Sequence, residues 1–203
     1  MRLILGVTGN VAGGKSAVAR MFQEKGCALV DADKVAHELY VAQPGLVRQV
    51  AQEFGDEVLH PDGTLNRKRL GARVFGDPAA LAMLNRIVHP HLLVALRERV
   101  FSALRVMNRV VVDAALIVEW GMQRETDALI LVTAPEPLRL ARLMERDGLS
   151  HDEAERRIRS QMPEEEKRPF ATYEIVNTGS EEDLQPLVDA VWEQIMESGA
   201  TAT

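Results

Sequence analysis

Gly9-Asn10-Val11-Ala12-Gly13-Gly14-Lys15-Ser16 matches the phosphate-binding pattern G-x-x-x-x-G-K-S/T, and its setting constrains the fold more than any other stretch. Residues 2–7 form a short apolar run, as expected of a buried parallel strand. Residues 16–24 have helical spacing, with Val18, Met21 and Phe22 apolar and Gly26 following as a stop. A glycine-rich loop between such a strand and such a helix can curl so that successive N–H groups converge on phosphate oxygens. The positive end of the helix dipole adds to that attraction. Gly9, Val11, Ala12, Gly13, Gly14, Lys15, Ser16 and Ala17 are therefore expected to surround the phosphates of ATP. Lys15 would reach the β- and γ-phosphates, and the Ser16 hydroxyl would ligate Mg²⁺.

A strand–loop–helix of this kind belongs to parallel α/β folds, and the rest of the chain agrees. Residues 28–30, 109–112, 128–133 and 174–177 read as four further strands. Residues 181–196 place Leu184, Leu187, Val188, Val191, Trp192 and Ile195 on one helical stripe. The expected fold is α/β and P-loop kinase-like: a five-stranded parallel sheet flanked by helices. A chain of 203 residues with 46% hydrophobic content suits one such unit with small insertions. Aromatics make up only 4%, so aliphatic side chains must fill the core.

Two stretches stand outside that core. Residues 34–107 hold helical segments and no clear parallel strand, punctuated by Gly55, Pro61-Asp62-Gly63, Gly71 and a break at His89-Pro90. Residues 139–170 are dense in charge, with a capping box at Ser150-x-x-Glu153 and a helix start at Pro163. The expected division is a nucleotide-binding core of 1–33, 108–138 and 171–203, a helical substrate-binding insertion at 34–107, and a helical lid at 139–170. The tail 198–203 is expected to fray.

The formal charge of -6 and pI near 5.4 disfavour nucleic acid as a partner, whereas phosphorylated small molecules need only a few local cations and amides. The single cysteine, Cys27, excludes an intramolecular disulfide and reads as a small buried hydrophobe. No apolar run approaches the ~20 residues of a membrane span, and the apolar N-terminal run is too short for a secretion signal. A cytoplasmic protein is expected, with its oligomeric state left open.

The phosphate loop alone does not choose a reaction. A GTPase of the usual kind would carry D-x-x-G and N-K-x-D, and neither occurs here. A metabolite kinase fits best; a nucleotide-sensing module is the competing class. Asp31-Ala32-Asp33 follows the second strand, where carboxyl ends line the ligand crevice. One carboxylate could take the proton of the attacking hydroxyl and the other position substrate or hydrated Mg²⁺, or Asp33 could simply cap the next helix. Asp113 ends the third strand, suited to substrate or to Mg²⁺ through water, or to a turn. Arg139, Arg142 and Arg146 fall at i, i+3 and i+7, hence on one helix face, suited to a lid over a triphosphate or to a solvated surface.

Together these residues resemble the dephospho-coenzyme A kinase family nearly end to end. The likeness rests on the P-loop, Asp31-Ala32-Asp33-Lys34-Val35-Ala36-His37, His89-Pro90, Arg146-Asp147-Gly148-Leu149-Ser150, Gln161-Met162-Pro163 with Glu165-Glu166-Lys167, and Asn177-x-Gly179-Ser180. The resemblance implies transfer of the ATP γ-phosphoryl group to the ribose 3′-hydroxyl of dephospho-coenzyme A, the last step of coenzyme A synthesis. It implies Asp33 as general base, with His37 and His89 near the acceptor site; Asp31 and Asp113 are expected on the acceptor side from their strand ends. It implies Arg142 as a phosphate contact, with Asn177 and Gly179 against the adenine. Three departures stand out: Ser16-Ala17 where the family has Ser-Thr, Ala115 where it has proline, and Thr172 where it has aspartate. The alternative is another P-loop small-molecule or nucleoside monophosphate kinase.

Overall fold

The computed structural model describes residues 2–74 and 76–200. By internal contact the chain divides into two units: one runs to Asp31 and resumes at Arg99, and the other is Ala32–Glu98.

The first unit contains five strands among the described residues: β1 (Leu3–Thr8), β2 (Ala28–Asp31), β3 (Arg109–Asp113), β4 (Ala128–Thr133) and β5 (Tyr173–Val176). They form one sheet in the order β2-β3-β1-β4-β5, and every pairing is parallel. Each strand expected from the sequence is present to within a residue at either end. The central strands are near-continuous apolar runs because both faces are covered, and all six residues of β4 are buried. Helix α1 (Lys15–Glu24) and the final helix (Glu181–Ala200) cover one face. Val18, Phe22, Val188 and Ile195 pack there with Leu5, Val7, Val111 and Ile130. With so few aromatics, Phe22 and Trp192 are paired at 6.1 Å, and the Arg109 guanidinium lies 5.3 Å over the Trp192 ring.

Cys27 belongs to this core at 1% exposure, and burial pushes its thiol up to about 11. At pH 8 that leaves about 10²-fold less thiolate than an ordinary cysteine. A disulfide-exchange reagent should therefore label the native protein at least that much more slowly than the urea-unfolded chain. Rapid native labelling, followed by absorbance, would contradict this placement.

The second unit holds helices α2 (Ala32–Ala42), α3 (Pro44–Phe54) and α4 (Arg67–Val74), and most of α5 (Pro78–Val106). Its buried side chains include Leu39, Val50, Phe54, Val58, Leu70 and Val74. An antiparallel bridge, Leu59 to Leu65, closes the turn at Pro61-Asp62-Gly63, where Asp62 accepts hydrogen bonds from the Thr64 amide and hydroxyl.

Three expectations are corrected here. Gly71 lies inside α4, and Pro90 lies inside an unbroken α5. A buried stripe of Val88, Leu92, Leu96, Val100 and Leu104 at four-residue spacing carries α5 across the proline, outweighing the ~3 kcal/mol local cost. α5 is also long and apolar enough, by length and composition, to cross a membrane, against the expectation of no such run; it carries Arg86, Arg97, Glu98, Arg99 and Arg105. The final helix continues to Ala200, past the expected start of a frayed tail, and residues 201–203 lie outside the described residues.

The remaining helices are α6 (Glu136–Asp147), α7 (His151–Arg159) and α8 (Glu164–Lys167), which leave β4 and return to β5, and then α9, the Glu181–Ala200 helix described above. Ser150 and Glu153 form the expected capping box at the start of α7, and Pro163 precedes α8.

Candidate active site

In a parallel sheet all carboxyl ends face one way, and the strand order reverses beside β1. The phosphate loop leaves β1 at this edge. Gly9, at φ +141°, lies so close to β4 that a Cβ there would stand 2.1 Å from the Val132 carbonyl oxygen. Only glycine lets the chain leave the strand along this path. The tip is tightened by the Gly13 amide donating to Asn10 O at 3.1 Å, and Ala12 adopts a left-handed φ of 60°. Lys15 arches back, its Nζ 3.3 Å from Asn10 O. No side chain caps α1 and no acidic residue stands in its first turn, so its leading amides suit an anion. The Ser16 residue is exposed beside them.

Side chains from the far end of the chain brace this loop. Asn177, 4% exposed just beyond β5, donates from Nδ2 to Gly13 O at 3.0 Å. Gly14 has no room for a side chain, because a Cβ would sit 2.2 Å from that nitrogen. Arg142 of α6 donates from Nη2 to Asn177 Oδ1 at 3.3 Å and to Gly179 O at 2.7 Å. Its Nη1 is buried without a hydrogen-bond partner, as is Asn10 Oδ1 in the loop. An orphaned guanidinium nitrogen anchored behind a nest of amides fits a polyphosphate.

Asp31 and Asp113 end β2 and β3 as direct register partners, with Val7 of β1 opposite Asp113 on its other side. Asp113 is buried and Asp31 half-buried. The loop after Asp113 is pinned at Ala115 O, which accepts from Thr8 Oγ1 at 3.1 Å and from Lys167 Nζ at 2.7 Å. Lys167 is fully buried and forms an ion pair with Glu119 at 2.9 Å, a charge contact not aligned as a hydrogen bond. Among the described residues no cluster of three His, Cys, Asp or Glu could hold a metal alone. Ser16 at the start of α1 and Asp113 at the end of β3 are oxygen donors of the kind that Mg²⁺ takes together with phosphates and water.

The three arginines of α6 do not share one role. Arg139 is buried, with Nε donating to Ala134 O at 3.1 Å and Nη1 standing 3.6 Å from Glu164. Burial raises the Glu164 pKa, partly offset by Arg139. Arg146 is exposed and pairs with Asp147, whose pKa is held down chiefly by that hydrogen bond. Arg139 and Arg142 each keep a buried Nη1 without a hydrogen-bond partner, but that of Arg139 faces the Glu164 carboxylate, so the three arginines of the expected face stand in three different surroundings.

In the other unit, Asp33 and His37 lie one turn apart on α2, both exposed. Asp33 sits inside the first turn rather than ahead of it, and only Ala32 separates it from the end of β2. His89 is half-buried on α5, and burial lowers its pKa.

The sequence assigns no role to Gln161, Thr8, Glu119 or Lys167, although Gln161 and Lys167 fall within the stretches that carry the family resemblance. The burial of Lys167 has no signal within the acidic run Glu164-Glu165-Glu166 that precedes it.

A phosphate loop on the central strand, paired strand-end carboxylates and a braced arginine define a nucleotide-dependent phosphotransferase of the P-loop kinase class. The family model for dephospho-CoA kinase matches residues 3–183. A dephospho-CoA kinase from Syntrophus aciditrophicus is 38% identical over 196 residues, covering 96% of this chain and 83% of its own. A crystal structure from Thermus thermophilus aligns with TM-score 0.75 at 35% identity, covering 95% of this chain and 97% of that one. The dephospho-CoA kinase from Campylobacter jejuni aligns at 0.60 and 27%, covering 95% and 96%. The chain belongs to the dephospho-CoA kinase family, and its activity is the ATP-dependent phosphorylation of dephospho-CoA in coenzyme A biosynthesis.

Proposed function

We propose that the chain moves the γ-phosphoryl group of ATP to the ribose 3′-hydroxyl of dephospho-CoA, with Asp33 as the general base. The observation that carries the reading is the braced phosphate loop: an uncapped helix start, Lys15 across the loop, and Arg142 anchored behind it with one nitrogen to spare. Amides of the loop hold the β- and γ-phosphates in place, and Lys15 and Arg142 stabilise charge on the transferred group. The hydroxyl of Ser16 would hold Mg²⁺, with Asp113 contributing through water, and the ion would supply neutralisation of phosphate charge when bound. Asp33 accepts the proton of the attacking hydroxyl, and Asp31 positions the acceptor. Residues 34–107 take the acceptor, with His37 and His89 beside it, and residues 139–170 act as the lid. Asn177 and Gly179 flank the nucleotide. The protein works in the cytoplasm on a small-molecule acceptor.

The test is ADP release from Mg-ATP with and without dephospho-CoA, followed by mass spectrometry and enzymatic mapping of the phosphorylated position. One added phosphoryl group at the 3′-position is the expected product. Phosphate at another position, or a preference for a nucleoside monophosphate, would overturn the acceptor assignment.

A further inference from the structure

The phosphate loop makes one contact that the reaction as described does not use. The Val11 amide, at the tip of the loop, donates to Gln161 Oε1 at 2.7 Å across 150 residues of sequence. Gln161 lies in the turn between α7 and α8, its own amide donating to Ile158 O at 3.3 Å. Around this contact Val11 and Ala12 pack on a small apolar cluster of Leu143, Ala154 and Ile158, side chains of α6 and α7. Ala12 is the non-glycine residue held at positive φ among the described residues. Thus the strained tip of the loop is clamped by an apolar seat and by one directed hydrogen bond. The Val11 N–H is bonded to the α7–α8 turn and precedes α1, so Gln161 does not take a donor from the leading amides of that helix.

We propose that Gln161 is a positioning residue for phosphoryl transfer, fixing the tip of the phosphate loop to the α6–α7 arm so that loop geometry and arm position are set together. This rests on the kinase activity of the chain, and wild-type turnover in the same assay separates the two. The apolar seat alone leaves rotation of the Val11 peptide unopposed, whereas the amide oxygen of Gln161 fixes it.

The experiment compares Gln161→Met, which keeps length and loses the acceptor, with Gln161→Glu, which keeps an acceptor oxygen. Steady-state kinetics with ATP are read beside hydrogen exchange of the Val11 amide by NMR. Gln161→Met should lower kcat about tenfold, raise KM for ATP less than about threefold, and speed Val11 exchange at least about tenfold with the melting temperature nearly unchanged. Gln161→Glu should restore Val11 protection and most of kcat. Unchanged kcat in Gln161→Met would overturn the proposal. So would equal losses in both variants with Val11 still protected, because the hydrogen bond would then not set the rate.

Discussion

Asp33→Asn should lower kcat by about 10²–10⁴-fold, the range that a positioned general base contributes, while leaving ATP affinity within about threefold. The substitution keeps size and polarity and removes the lone pair that takes the proton. Asp33 is exposed in the first turn of α2, where a carboxylate has a second, purely structural reason to be. Its interaction with the helix dipole contributes about 0.3–1 kcal/mol. A loss of turnover of 10²-fold or more corresponds to at least ~2.7 kcal/mol of barrier, so the dipole term cannot account for it. The measurements are single-turnover phosphoryl transfer, ATP binding by calorimetry and thermal melting. Turnover within about fivefold of wild type would remove Asp33 as the base. A parallel loss of melting temperature and ATP binding would instead assign it to holding the helix start.

The sheet was legible because parallel strands buried on both faces cannot hide their composition: Leu3–Thr8, Arg109–Asp113 and Ala128–Thr133 are near-continuous apolar runs. The phosphate loop was legible because two of its three glycines answer to a backbone demand, φ +141° against β4 at Gly9 and φ +100° against Asn177 at Gly14. What failed were inferences from a single residue's local preference. Pro90 and Gly71 each weaken a helix locally, yet the buried stripe along α5 and the burial of Leu70 and Val74 in α4 decide the outcome. Periodicity placed Arg139, Arg142 and Arg146 on one face, but seven residues of helix is about 10 Å of travel. Over that distance the surroundings change from the Ala134 carbonyl and Glu164 to open solvent. The braces of the site were not legible at all. Asn177 to Gly13 and Gln161 to Val11 join residues 164 and 150 positions apart, and nothing in a single sequence pairs them.

Lys167→Met should destabilise the protein by about 3–5 kcal/mol, the cost of leaving a buried charge without its partner. Lys167 has no exposed surface; its ammonium donates to Ala115 O and stands 2.9 Å from the Glu119 carboxylate as its ion-pair partner. Methionine fills nearly the same volume, so little of the effect should come from a cavity. Ala115 O would keep the Thr8 hydroxyl as a donor, so the penalty falls on the Glu119 carboxylate, neither of whose oxygens has a hydrogen-bond partner to offset the lost ion pair. Domains of this size commonly have only about 5–15 kcal/mol of stability, so the single variant should unfold at markedly lower urea. If the uncompensated carboxylate is the cause, Lys167→Met combined with Glu119→Leu should recover most of the loss, because a buried ion pair replaced by apolar groups is often neutral. A double variant as unstable as the single one would shift the cause to the Lys167–Ala115 hydrogen bond. A single variant within about 1 kcal/mol of wild type would show that Glu119 finds another partner or water. The contact also has a functional side: it ties the return from the α6–α8 arm to the loop that follows Asp113. A surviving Lys167→Met protein should therefore lose kcat more than ATP affinity, through displacement of that strand-end carboxylate.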